Sequence, residues 1–102
     1  MKEGYVYILT NRKRTVLYTG VTSDLVNRVL KHKKGEGSEF TKKYEVKNLV
    51  YYESHQNMYE AIRREKQIKK WKREWKLNLI RANNPDMKDL WKEITSGGRF
   101  HF

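Results

Sequence analysis

The sequence predicts a small α+β fold: a three-stranded antiparallel sheet flanked by helices, in the order strand, strand, helix, strand, helix, helix. Three observations predict it. Two short runs rich in β-branched and aromatic residues, GYVYILT and VLYT, lie one polar turn apart near the start of the chain. Apolar residues at helical spacing follow twice, first from Leu25 to Leu30 and then from Met58 to Ile80. A third strand-like run, LVYY, separates the two helical stretches.

Each element has a local reason. Gly4 to Thr10 reads as the first strand, and Val16 to Thr19 as the second. The polar Asn11-Arg12-Lys13-Arg14 between them is short enough to require an antiparallel hairpin. Gly20 is expected to break the second strand, because a residue without a Cβ can turn sharply. Thr22 or Ser23 can cap the first helix, and Asp24 suits the positive end of its dipole. Leu25, Val26, Val29 and Leu30 form its apolar face. Gly35-Glu36-Gly37-Ser38 ends it and opens a mobile loop to about Tyr44.

Leu49 to Tyr52 is the third strand. Asn57 followed by Glu60 is an N-terminal capping signature for the long helix, which runs through Met58, Ala61, Ile62, Ile68 and Trp71. It breaks near Lys72–Arg73, resumes through Trp75, Leu79 and Ile80, and stops at Asn83-Asn84-Pro85. A short last helix is expected from Met87 to Ile94. Residues 1–95 thus read as one domain and residues 96–102 as a flexible tail.

Charge narrows the function classes. Across 102 residues there are 23 Lys+Arg against 12 Asp+Glu, a formal net charge of +11. That excess favours a polyanion, with nucleic acid first and an anionic membrane surface second. No stretch approaches the ~20 apolar residues of a membrane span. Zero cysteines exclude disulfides and thiolate metal sites and fit a cytoplasmic setting. The sequence calls for no obligate protein partner.

Three features carry candidate chemistry. Tyr5 and Tyr7 share one face of the first strand, and Tyr18 ends the second; the plain reading is core filling, and the chemical one is a phenol that positions or deprotonates water. Arg28 and His32 stand one helical turn apart, either as part of a solvated basic face or as a phosphate grip with an imidazole beside it. Glu65 falls within the apolar stripe of the long helix. A carboxylate there is costly unless paired or bound to a cation, and the plain alternative is a surface pair with Lys69 worth only ~0.5 kcal/mol. Nine Lys/Arg and two Glu lie between Arg63 and Arg81. One inward acid among so many bases suits one divalent cation beside a nucleic-acid groove. Within that stretch Arg63, Arg64, Lys66, Lys69, Lys70, Lys72 and Arg73 are the candidate backbone contacts. Trp71 and Trp75 are read as core before they are read as base-stacking platforms. The three histidines have no zinc-ligand spacing.

In this order, Tyr5-Val6-Tyr7, Tyr18-Thr19-Gly20, Arg28 in LVNRVLKH and Glu65 in AIRREKQIKKW resemble the GIY-YIG nuclease family. The likeness is greatest to its small, stand-alone, excinuclease C-like branch and extends roughly from residue 4 to residue 91. The resemblance implies metal-dependent hydrolysis of DNA phosphodiester bonds with one Mg²⁺ or Mn²⁺. Carried over, Glu65 is the metal ligand, Arg28 the phosphate clamp and Tyr7 the general base. Tyr18 lines the site, and His32 falls at a frequent but less uniform position. The first glycine of the name-giving motif is Tyr5 here, and its isoleucines are Val6 and Thr19. Some members place an asparagine after the glutamate helix, for which Asn78, Asn83 and Asn84 are all candidates.

Overall fold

The structure, a computed structural model, describes residues 3–96. Its elements are β1 (Gly4–Thr10), β2 (Leu17–Thr22), α1 (Leu25–Lys33), α2 (Glu39–Lys43), β3 (Asn48–His55), α3 (Met58–Lys69), α4 (Arg73–Asn83) and α5 (Trp91–Thr95). The sheet has the order β2-β1-β3, antiparallel throughout, so the most apolar strand is central and buried along almost its whole length. The expected α+β class and three-stranded sheet are those observed.

Alternation along β1 sends side chains to opposite faces. Val6 and Ile8 pack with Ala61, Ile68 and Ile80 of α3 and α4. Tyr7 and Leu9 pack with Leu25 and Val29 of α1, together with Val46, Leu49 and Ile94. Helices therefore cover both faces of the sheet, and β2 and β3 are its edges.

Several boundaries differ from expectation, each for a local reason. Gly20 does not break β2; it lies within it, opposite Tyr7, and the strand continues to Thr22. Asp24, rather than Thr22 or Ser23, caps α1 by accepting from the Asn27 amide at 3.2 Å, while the Thr22 hydroxyl accepts from the Asp24 amide. Val26 and Ile62, expected on apolar faces, are exposed. The buried stripe of α3 is Ala61, Glu65 and Ile68. Asn57 caps α3 as expected, accepting from the Glu60 amide at 2.9 Å. The Glu60 carboxylate turns instead to Arg63.

The expected mobile loop before Tyr44 contains a helix. Ser38 caps α2 by accepting from the Thr41 amide at 3.1 Å, and Thr41 is buried. At the other end, the last helix starts only at Trp91. Asn84 holds the preceding segment, donating to the Val50 and Lys88 carbonyls and accepting from the Lys88 amide. Asp89 accepts from the amides of Leu49 and Trp91 and from Lys33 Nζ. These side-chain bonds satisfy backbone groups that a longer helix would have paired. Of the expected tail, residues 97–102 lie outside the described residues.

Candidate active site

Tyr7 is the centre of the site. Its ring is buried at 2% exposure, because Gly20 directly opposite has no side chain. A Cβ on Gly20 would stand 2.9 Å from Tyr7 Cε2 and nearer still to Cζ and the hydroxyl. Glycine is needed there for ring space, with an ordinary strand backbone. The Tyr7 hydroxyl bonds His32 Nε2 at 3.0 Å, and His32 Nδ1 bonds Thr41 Oγ1 at 3.0 Å. Thr41 in turn donates to the Ser38 carbonyl at 3.2 Å. Gly37 covers the imidazole so closely that a Cβ would overlap Nδ1.

Around this chain stand the other expected residues. Tyr18 is half-buried, its ring centroid 6.3 Å from Tyr7 and 5.4 Å from His32. Arg28 is half-buried and lines a groove of about 490 Å³ with Asn27, Lys31 and Lys34 and the carboxylates of Asp24 and Glu36. Glu65 is buried at 8% exposure and ion-paired with Lys69 at 2.6 Å.

Electrostatics tie the four elements together. Burial raises the pKa of the Tyr7 phenol; the Tyr18 phenol adds to the rise, Arg28 opposes it and Glu65 adds to it. Burial, and then the Arg28 charge, lower His32 from 6.5 to about 4, so its imidazole is neutral at pH 7. Groups from β2, α1 and α3, far apart in sequence, thus act on the Tyr7 phenol of β1. Tyr7, Tyr18 and His32 are in direct contact, and the Arg28 and Glu65 charges act on the Tyr7 phenol. Glu65 is inward, as its place in the apolar stripe predicts, and the expected pair with Lys69 forms at this buried carboxylate rather than on the surface.

The basic stretch is less uniform. Lys66, Lys70, Lys72 and Arg73 are exposed on α3, α4 and the turn between them. Arg63 pairs with Glu60 and lies over the Tyr59 ring. Arg64 is held by the fold: Nε donates to Glu53 at 2.9 Å, Nη1 to Gln67 at 3.0 Å, and the guanidinium covers Trp71. Trp75, read as core, is 51% exposed. Of the asparagine candidates, Asn84 is buried and occupied with backbone, and Asn78 and Asn83 are exposed.

The donor set suits a hard divalent cation. Glu65 presents carboxylate oxygens, and its partner Lys69 is on an exposed, flexible stem that can swing aside. Among the described residues no three His, Asp or Glu side chains cluster as a closed cage. A single carboxylate, with water and substrate oxygens completing the shell, is how Mg²⁺ is commonly held.

Sequence reasoning missed Gly37, Ser38, Phe40 and Thr41. The signal was present: serine followed by glutamate is a helix start, and here it places Thr41 against His32.

Comparison with known proteins extends this picture. Residues 3–78 match the model of the GIY-YIG catalytic domain. A UPF0213 protein of Pediococcus pentosaceus is 36% identical over 86 residues, spanning 84% of this chain and 90% of that one. One from Staphylococcus saprophyticus is 39% identical over 80 residues, 78% of this chain and 96% of that one. The solution NMR structure of a UPF0213 protein from Bacillus halodurans superposes with a TM-score of 0.55 at 30% identity, covering 88% of this chain and 95% of that one.

Proposed function

We propose, from the premise that this chain belongs to the GIY-YIG catalytic domain family, that it is a metal-dependent endonuclease hydrolysing DNA phosphodiester bonds. The observation that carries the reading is the buried Tyr7–His32 hydrogen bond, on whose phenol the Arg28 and Glu65 charges also act. In this reading residues 1–95 are one nuclease domain, acting in the cytoplasm.

Glu65 would hold one Mg²⁺ or Mn²⁺, which when bound polarises a phosphoryl oxygen and neutralises the leaving oxyanion. Arg28 grips the scissile phosphate from its groove with a fork of donors matched to phosphate oxygens. Tyr18, the less buried phenol, orients the attacking water. Tyr7 takes a proton from that water as its own passes to His32 Nε2. A free phenolate is disfavoured by the raised pKa, so the two transfers go together. The negative charge of an incoming phosphate raises the basicity of His32 and helps it accept. Exposed Lys66, Lys70, Lys72 and Arg73, with Arg63 and Lys69 once released from their carboxylates, would hold the DNA backbone by charge. Arg64 contributes the least, being bound to Glu53.

A non-catalytic DNA- or RNA-binding module is the second reading, favoured by one observation: Tyr7 is buried and its hydroxyl is already bonded to His32. Cleavage of single-stranded, duplex and branched DNA in Mg²⁺ or Mn²⁺ separates the two. Glu65→Gln is expected to abolish cleavage while binding survives. Full activity in chelator, or an unimpaired Glu65→Gln variant, would overturn the one-metal nuclease. Binding with no cleavage of any form would establish the module.

A further inference from the structure

A ladder of aromatic rings runs from the site to the surface. Tyr18 stacks on Phe40 at 6.0 Å and 27°, and Phe40 meets Tyr44 at 4.9 Å. Phe40 of α2 and Tyr44, the residue that caps its C-terminus, are four residues apart, and their rings lie side by side. Both rings are exposed, at 42% and 43%. Single exposed apolar residues are ordinary, but a contiguous aromatic patch beside a reactive site marks a contact surface.

Its surroundings define the partner. Tyr44 forms one wall of a groove of about 400 Å³ lined by Arg12, Lys13 and Lys47, with Glu45 its one carboxylate. Lys43 Nζ lies 5.3 Å from the Tyr44 ring centre, and Lys42 is exposed on the same helix. Glu39 and Glu45 are the carboxylates on this stretch, fewer than the cations around them. Flat rings flanked by cations fit a polyanion that offers π-faces of its own. In duplex DNA those faces are hidden in the stack; in a single strand they are free.

We infer that Phe40 and Tyr44 form a stacking platform for an unpaired base of single-stranded DNA, with Arg12, Lys13, Lys43 and Lys47 tracking its phosphates. Because the ladder continues through Tyr18 to Tyr7 and His32, a base stacked on Phe40 sets its neighbouring phosphate at the catalytic end. The inference rests on the nuclease reading for that last step and names its substrate class: DNA with a single-stranded segment. Trp71 and Trp75, on the other side of the sheet, take no part.

The test is binding in chelator, where no cleavage intervenes. Fluorescence anisotropy would compare a short single-stranded oligonucleotide with the matched duplex at fixed salt. Phe40→Leu and Tyr44→Leu keep the apolar bulk and remove the π-face. Each is expected to weaken single-strand binding roughly 5- to 150-fold, the range for one lost base–aromatic stack, and to leave duplex binding within about twofold. Phe40→Trp and Tyr44→Phe should bind as the parent does. A 2-aminopurine base in the strand should be quenched by the parent and not by the leucine variants. Equal losses on both DNA forms, or no loss on either, would overturn the platform. So would a dimer of the parent chain that the leucine variants dissolve. If the parent chain cuts DNA with metal yet shows no selective loss, only this inference fails; if it binds no DNA, the nuclease reading fails with it.

Discussion

Gly20→Ala should damage the protein far more than an alanine in a strand usually does. The backbone at Gly20 is not left-handed, so alanine is conformationally acceptable there. The difficulty is space: the added methyl would stand under 3.0 Å from two ring carbons and the hydroxyl oxygen of Tyr7, closer than real Cβ contacts come. Tyr7 cannot retreat, because Leu25 and Val29 fill the layer behind it. Overpacking of this kind costs ~1–3 kcal/mol. Displacing the phenol also strands His32 Nε2 in the interior, a further ~1–3 kcal/mol. A total of about 3 kcal/mol lowers the melting temperature of a domain of this size by roughly 12–24 °C. The assay is thermal and urea denaturation of the parent, Gly20→Ala, Tyr7→Leu and the double variant. Tyr7→Leu removes the ring that the methyl strikes, so the second substitution should cost at least ~1 kcal/mol less in its presence. Strict additivity, or a Gly20→Ala protein within ~0.5 kcal/mol of the parent, would refute the packing argument.

The acid side of the stability curve should carry the signature of His32. Between pH 6.5 and about 4 the unfolded chain binds a proton that the folded imidazole refuses, so stability falls as pH drops through that window, by no more than about 3 kcal/mol. Urea titrations at pH 7 and pH 5 should show a smaller drop for His32→Gln; equal drops would remove His32 as the cause. DNA binding should weaken with salt along a log–log slope of about −3 to −4 if four cations of the basic stretch meet phosphates, and a slope near zero in an anisotropy titration would exclude that mode. Asn84→Ala should cost about 2–3 kcal/mol by orphaning buried backbone partners. At temperatures where the variant stays folded its DNA affinity should be unchanged, and reduced affinity there would tie the C-terminal segment to binding.

The legible parts of the fold were those fixed by near neighbours in sequence. The three strands, the Asn57 cap and the α3–α4 break near Lys72 each follow from a few adjacent residues. Glu65 was legible because three- and four-residue steps put a charge where apolar residues belong. What was not legible depended on distant partners. Gly20 looks like a strand breaker alone; only the pairing with Tyr7 shows that its missing side chain makes room for a ring. The EFTKK stretch after GEGS looks like more loop until His32, from the preceding helix, supplies a partner for Thr41. The C-terminal helix was overextended because Asn84 and Asp89 bond to β3 and its neighbours, contacts across 34 to 40 residues that no local pattern reveals.

The polar chain behind Tyr7 explains why α2 exists at all. A neutral imidazole can present either nitrogen as donor, and only one choice leaves Nε2 able to accept from a phenol. With its proton directed at the Ser38 carbonyl, Thr41 Oγ1 meets His32 Nδ1 with a lone pair, and that nitrogen is then the donor. Nε2 is then the acceptor for Tyr7; this tautomer follows from the hydrogen-bond network. The arrangement depends on Thr41 being held in place, which the Ser38 cap and the Phe40–Tyr18 stack accomplish. Gly37 completes it by letting the backbone close over the ring. A five-residue helix would be marginal in isolation. Here it is ordered by the same contacts that orient the imidazole, so the fold of α2 and the protonation geometry of the site are one structural fact. The aromatic face that α2 turns outward is then positioned by the groups that position the reactive phenol.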